Sequence, residues 1–336
     1  MGYQDFLYAV EGELNKKLKE GIRASIYTAV KNNGREKKGV LIETQGYHAA
    51  PTIYLEGFYV RYQRGEPMEK LVSEILALYE SMRTEEIWDG RKFENYEEIR
   101  ERVVFKLIHC SKNKLLLRQV PYMEVLDLAI VFYVLLDLDK RGTASIQICN
   151  EHLEMWGISK DDLFLTSIQN VRKILPAEFF TMQHAIEQML EVTEDDEAEN
   201  LLDEVRREKR DVMYILTNPS RNYGAACMMY PHVLEMIGDI LREDFYVLPS
   251  SVHEVIIVPD SKALEQEEMD EMVVEINETQ VEPEEVLSDH AYFYHRKGKR
   301  LMMRKKEADI PEMGVYCTRC GKTPWEDYIN YYGTSR

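Results

Sequence analysis

VFYVLLDLDKRGTASIQICNEHLEMWG, residues 131–157, and VMYILTNPSRNYGAACMMYPHVLEMIG, residues 212–238, run alongside each other at a constant offset of 81 residues. The identities are Val131/Val212, Tyr133/Tyr214, Leu135/Leu216, Ala144/Ala225, Leu153/Leu234, Glu154/Glu235, Met155/Met236 and Gly157/Gly238. Each stretch reads as an apolar strand, a polar turn, a second strand and an amphipathic helix. The expectation is an α+β fold, with an antiparallel or mixed sheet built from duplicated β-hairpin-plus-helix units. Helices cover the sheet, and a groove lies between the two units.

Working outward, Phe6, Leu7, Val10, Leu14 and Leu18 recur at helical intervals and predict an opening amphipathic helix over residues 3–19. Two β-rich runs flank Asn33-Gly34, a dipeptide suited to a hairpin turn. Pro67 opens a helix with Leu71, Ile75, Leu76 and Tyr79 on one face. Tyr54, Phe58, Tyr59 and Tyr62 share a helical spacing that suits a core-facing stripe. Ser159 followed by acidic residues marks a helix N-terminus. AEFFTMQHAIEQML, residues 177–190, reads as helical, Val255–Val258 as a buried strand, and AYFYHRKGKRLMM as a hairpin turning at Lys297-Gly298. Domain organisation is expected as an N-terminal α+β region over 1–90, the duplicated region over 91–310, and a tail over 311–336.

The chain of 336 residues has a net charge of -18, from 42 basic and 60 acidic side chains. Such a field repels a phosphate backbone, so general nucleic-acid binding is disfavoured and a protein or small-molecule partner is favoured. The longest apolar run, Leu128 to Leu136, is too short to cross a bilayer, and the N-terminus lacks the apolar core of a signal peptide. Cys110, Cys149 and Cys227 sit among apolar neighbours and suit buried free thiols in a reducing cytoplasm. Residues 260–289 hold twelve acidic side chains against Lys262, and seven basic ones follow between Arg296 and Lys306, so pairing between the two stretches is expected.

YILTNPSRNYGAACMMYP (214–231) and FYVLPSSVHEVIIVPD (245–260) resemble a family of uncharacterised bacterial proteins, domain of unknown function 5688. PTIYLEGFYVRYQRG (51–65) and NEHLEMWGIS (150–159) carry the same resemblance. It extends from the opening helix to about Arg304. It implies a bacterial setting and brings no catalytic residues with it.

Candidate chemistry is sparse. YCTRCGK places Cys317 and Cys320 at the spacing of a zinc knuckle, but a structural zinc site needs four ligands; no cofactor is expected, with zinc at this half-site the exception. CGKT lacks the leading glycine of a phosphate-binding loop, because position 316 is Tyr316. His253-Glu254 lacks the second histidine of a zinc hydrolase, because position 257 is Ile257. Ser251, His253 and Glu254 could form a hydrolase-like site, against a simpler reading as local hydrogen bonding at a strand mouth. Asn218, Arg221, Asn222 and Tyr223, together with Ser220, crowd one turn of the second stretch and are the candidate ligand contacts, against plain turn chemistry. The expected function is non-enzymatic: a cytoplasmic ligand-binding or protein-interaction module. The alternatives are the hydrolase-like enzyme and an acidic antagonist that mimics DNA before a nucleic-acid-binding protein.

Overall fold

A computed structural model describes residues 1–30, 32–44, 52–84, 93–139, 142–191 and 213–304. The chain forms two units, one from Met1–Glu101 with Glu154–Gly157, the other from Arg102–Leu153 with Ile158 onward.

In the first unit, helix α1 (Tyr3–Lys17) buries Phe6, Leu7, Val10 and Leu14, as their spacing predicts. Strands β1 (Ile22–Val30) and β2 (Glu36–Thr44) pair antiparallel from Ile22↔Thr44 to Val30↔Glu36, and the turn puts Asn33 and Gly34 at positive φ. The short strand β3 (Thr52–Tyr54) pairs with β2, leaving β1 at one edge. Side chains of α1 cover that edge. Asn15 both donates to Ala24 O at 2.8 Å and accepts from Ala24 N at 2.9 Å, and Glu11 accepts from Ile26 N at 3.2 Å. Helices α2 (Glu56–Gln63) and α3 (Met68–Thr84) complete the core with Leu71, Val72, Ile75 and Tyr79, against which Phe58, Tyr59 and Tyr62 pack. Each such buried side chain contributes roughly 1.5–3 kcal/mol. Arg61 is held between Glu66 and Glu74, at 2.7 and 2.6 Å.

After helix α4 (Tyr96–Ile99), the second unit opens with β4 (Val103–His109), where only Lys106 is less than buried. A 3₁₀ turn (Ser111–Asn113) and helix α5 (Lys114–Leu117) lead to β5 (Tyr122–Val125), β6 (Leu128–Asp139) and β7 (Gly142–Gln147). Antiparallel β6 is central, with β4 on one side and β5 and β7 on the other. Helix α6 (Asn150–Trp156) follows, so the first of the two similar stretches is a hairpin and a helix as expected. Helix α7 (Lys160–Ile174) starts at the Ser159–Asp162 capping box and packs Phe164 on Phe105 and Phe132.

A second, six-stranded antiparallel sheet runs in the order β13-β12-β10-β11-β9-β8. Its members are β8 (Glu178–Thr181), β9 (Tyr214–Thr217), β10 (Phe245–Leu248), β11 (Val255–Pro259), β12 (Tyr292–His295) and β13 (Arg300–Met302). Helices α8 (Met182–Glu191), α9 (Val233–Leu241) and α10 (Gln266–Thr279) belong to the same unit.

Two expectations are corrected. The second stretch does not repeat a hairpin: after β9 comes a fully buried 3₁₀ helix, Gly224–Met229, and only then α9. Gly-Ala-Ala has neither the β-branched content nor the alternation of the segment that forms β7, and its small residues admit close backbone approach. Among the described residues the two stretches are therefore not equivalent units, and the groove expected between equivalents has no basis there. Residues 177–190 are not wholly helical, because Phe179 and Phe180 join a strand that pairs with β9 before α8 begins. The expected pairing of the acidic and basic stretches occurs at Arg304–Glu267, 3.2 Å, whereas Arg296 and Lys299 turn to Asp239 and Glu235 of α9.

Candidate functional site

The loop from Asn218 to Tyr223 leaves the buried end of β9 and is stapled by its first side chain. Asn218 is fully buried; its amide donates to Asn222 O at 3.0 Å and its Oδ1 accepts from Ser220 Oγ at 2.6 Å. Arg221 N–H closes the turn on Asn218 O at 3.0 Å. This bonding holds two non-glycine residues in the left-handed region, Arg221 at φ 52° and Tyr223 at φ 54°. Such conformations cost about 1–2 kcal/mol each and persist only where surroundings over-determine them.

The loop before β11 supplies those surroundings. Thr217 Oγ1 donates to His253 O at 2.8 Å, and Ala225 N donates to Val252 O at 3.3 Å. Tyr223 N–H points at His253 Nδ1, 3.4 Å away, while the two rings stack with centroids 6.0 Å apart. The Lys106 ammonium also sits over the Tyr223 ring, 4.4 Å from its centroid, with the Tyr133 ring edge-on at 5.6 Å. The Arg221 guanidinium covers Phe180 at 4.6 Å, and His184 meets the same ring from its edge. Two cation–aromatic contacts thus flank the loop, Lys106 with Tyr223 and Arg221 with Phe180, each worth about 0.5–1 kcal/mol where exposed.

The candidates from both loops are therefore neighbours, but not as a nucleophilic centre. His253 Nδ1 faces Tyr223 N–H and its Nε2 lies 3.2 Å from Glu285, so both ring nitrogens are engaged. Ser251 Oγ accepts from the backbone N–H of His253 at 3.0 Å. The carboxylate that meets the imidazole belongs to Glu285 and not to Glu254. Burial pushes the Cys227 thiol up to about 12, so it stays protonated, donating to Thr217 O at 3.1 Å. Burial likewise raises the Tyr133 and Tyr230 phenols.

Lys106, Thr217, Phe180 and Glu285 were not singled out from the sequence. Lys106 carried a usable signal, a lone cation inside an apolar strand; Glu285 carried none, lying within a long acidic run. Two open grooves lie elsewhere, one lined by Met1, Tyr62, Gln63, Gly65, Glu66 and Pro67, the other by Val274, His290 and the carboxylates of α10. Neither includes a residue of this cluster. Among the described residues no three His, Cys, Asp or Glu side chains converge as a metal site, and none of the helices is long and apolar enough to cross a membrane. Cys317 and Cys320 lie outside the described residues.

The family described as "Family of unknown function (DUF5688)" matches residues 3–296. The chain belongs to that family. No curated protein and no solved structure matches it significantly.

Proposed function

For a member of a family without an assigned activity, we propose a non-enzymatic protein-interaction module that docks a partner on the surface formed by Asn218–Tyr223 and Ser250–His253. One observation carries this reading: Arg221 and Tyr223 are fixed at positive φ by a buried asparagine, so a strained loop is maintained in one shape. A loop locked before binding loses little entropy on association. Its composition supports a protein partner, since tyrosine and arginine are enriched at the energetic centres of interfaces. The engaged nitrogens of His253 and the protonated thiol of Cys227 weigh against hydrolysis. Free thiols at Cys110, Cys149 and Cys227 support a cytoplasmic setting.

Chemical cross-linking in the source cells, followed by mass spectrometry, tests this. Partner peptides linked near residues 218–223 are expected with the wild type and are lost with Arg221→Glu/Tyr223→Ala, at unchanged abundance of the protein. Equal cross-links in both would contradict the reading. A second reading, the acidic antagonist of a nucleic-acid-binding protein, has Asp270, Glu271, Glu275 and Glu278 along one groove behind it. It predicts that charge reversal on α10, and not at Arg221, abolishes the cross-links.

A further inference from the structure

We propose that His109 is an acid-sensitive latch that controls the recognition surface through the segment Glu285–Asp289. The inference rests on the reading of that surface as functional.

The latch begins with a division of roles on one ring. His109 is 9% exposed, and its Nδ1 accepts the backbone N–H of Ser111 at 3.1 Å, with Ser111 Oγ at 3.2 Å. The proton of the neutral ring therefore sits on Nε2, which faces Asp127 Oδ2 at 3.5 Å. A second proton has only Nδ1 to occupy. It converts an acceptor into a donor, and the Ser111 N–H that opens the 3₁₀ turn is left without its acceptor.

That turn carries Lys112, whose ammonium holds Asp289 at 2.9 Å. Asp127, beside His109, accepts from Ser288 Oγ at 2.7 Å and from the Tyr292 hydroxyl. The chain between these anchors and the recognition surface is short. Ser288 N and Leu287 N donate to Pro249 O and Ser250 O, at 2.9 and 3.0 Å. Val252 N donates to Glu285 O at 2.8 Å, and the Glu285 carboxylate holds His253. A clamp on one end of five residues thus fixes the imidazole that stacks on Tyr223 at the other.

The charged groups around His109 are Asp127 from the β5–β6 turn, Lys112 from its own turn, and Asp289 and His290 from the segment before β12. Asp127 and Asp289 favour the proton while Lys112 and His290 oppose it. Burial is the largest influence and sets the ring below the usual imidazole value, so the latch stays closed at neutral pH and opens on acidification. A second imidazole, His253, lies 3.2 Å from Glu285 in the same chain of contacts, and a variant at position 109 separates the role of His109 from it.

The test is amide hydrogen exchange on the full chain between about pH 7.5 and 5.0, expressed as protection relative to the intrinsic rate at each pH. Protection at Ser111 and at Val252 is expected to fall at least about tenfold together, the loss of one hydrogen bond. His109→Asn keeps an acceptor near the Nδ1 position and cannot take the proton, so both amides should stay protected. A fall confined to Ser111, or an equal fall in the variant, would overturn the proposal. Imidazole nitrogen NMR of the wild type supplies a check that needs no variant: the exchange midpoint must coincide with the titration of His109, and a midpoint away from it would also overturn the proposal. None of these readouts involves a partner, so they fail separately from the cross-linking.

Discussion

Gly224 has no room for a side chain where it stands. A Cβ there would lie 2.1 Å from Thr217 Oγ1, 2.4 Å from His253 O and 2.9 Å from Asn218 N, and two of these are backbone atoms that cannot swing away. Gly224→Ala should cost about 3 kcal/mol or more, read as a lowered denaturation midpoint. Asn218→Ala removes the staple of the loop and should cost about 1–3 kcal/mol, because Asn222 O and Ser220 Oγ lose their partner. Two histidines set a pH dependence. Burial lowers His109 and His152, and the Nδ1 of each accepts a backbone N–H, from Ser111 and Cys149 respectively. A depressed imidazole binds its proton more weakly folded than unfolded. Its contribution to stability is therefore whole above about pH 6.5 and is lost as pH falls through that value towards the folded one. The denaturation midpoint should drop between pH 7 and 5, and the pair His109→Asn/His152→Asn should flatten that drop. Asp162 and Asp289, held below the usual carboxylate range, act in a separate and more acidic window.

At the scale of elements, Ser159 and Asp162 close a reciprocal cap on α7, so Ser159→Ala should cost about 1 kcal/mol. Asn15 satisfies both outward backbone groups of Ala24 on edge strand β1. Asn15→Ala should destabilise by about 1–2 kcal/mol and increase light scattering on warming, since it uncovers an edge able to pair with another chain. Elements with a strong local signature were legible in the sequence: the spacing of Phe6 to Leu14, Asn33-Gly34, Ser159, and the turn at Lys297-Gly298. The second stretch was misread because identity at Val131/Val212 and Leu153/Leu234 says nothing of the segment between. There Gly224–Met229 coils into a buried 3₁₀ helix against Thr217 and Val252. The polar residues of 218–223 stood out as a group, but their join to His253 depends on contacts about 30 residues apart, and Glu285 is farther still. No local pattern encodes a pairing of that range.

At the scale of the molecule, a net charge of -18 spreads over two separately cored units. Self-repulsion of that size should be relieved by salt, so the melting temperature should rise by a few degrees as the Debye length shrinks from about 30 to about 8 Å. A fall over the same range would mean that attractive pairs such as Lys112–Asp289 outweigh the repulsion. The loop Ser220–Tyr223 is held rigid by Asn218 before any partner arrives. Backbone nitrogen relaxation of the free protein reads this rigidity residue by residue. Order parameters of about 0.85 at Arg221, Asn222 and Tyr223, equal to those of β9, are expected, and values below about 0.6 would show a loop that is mobile before binding.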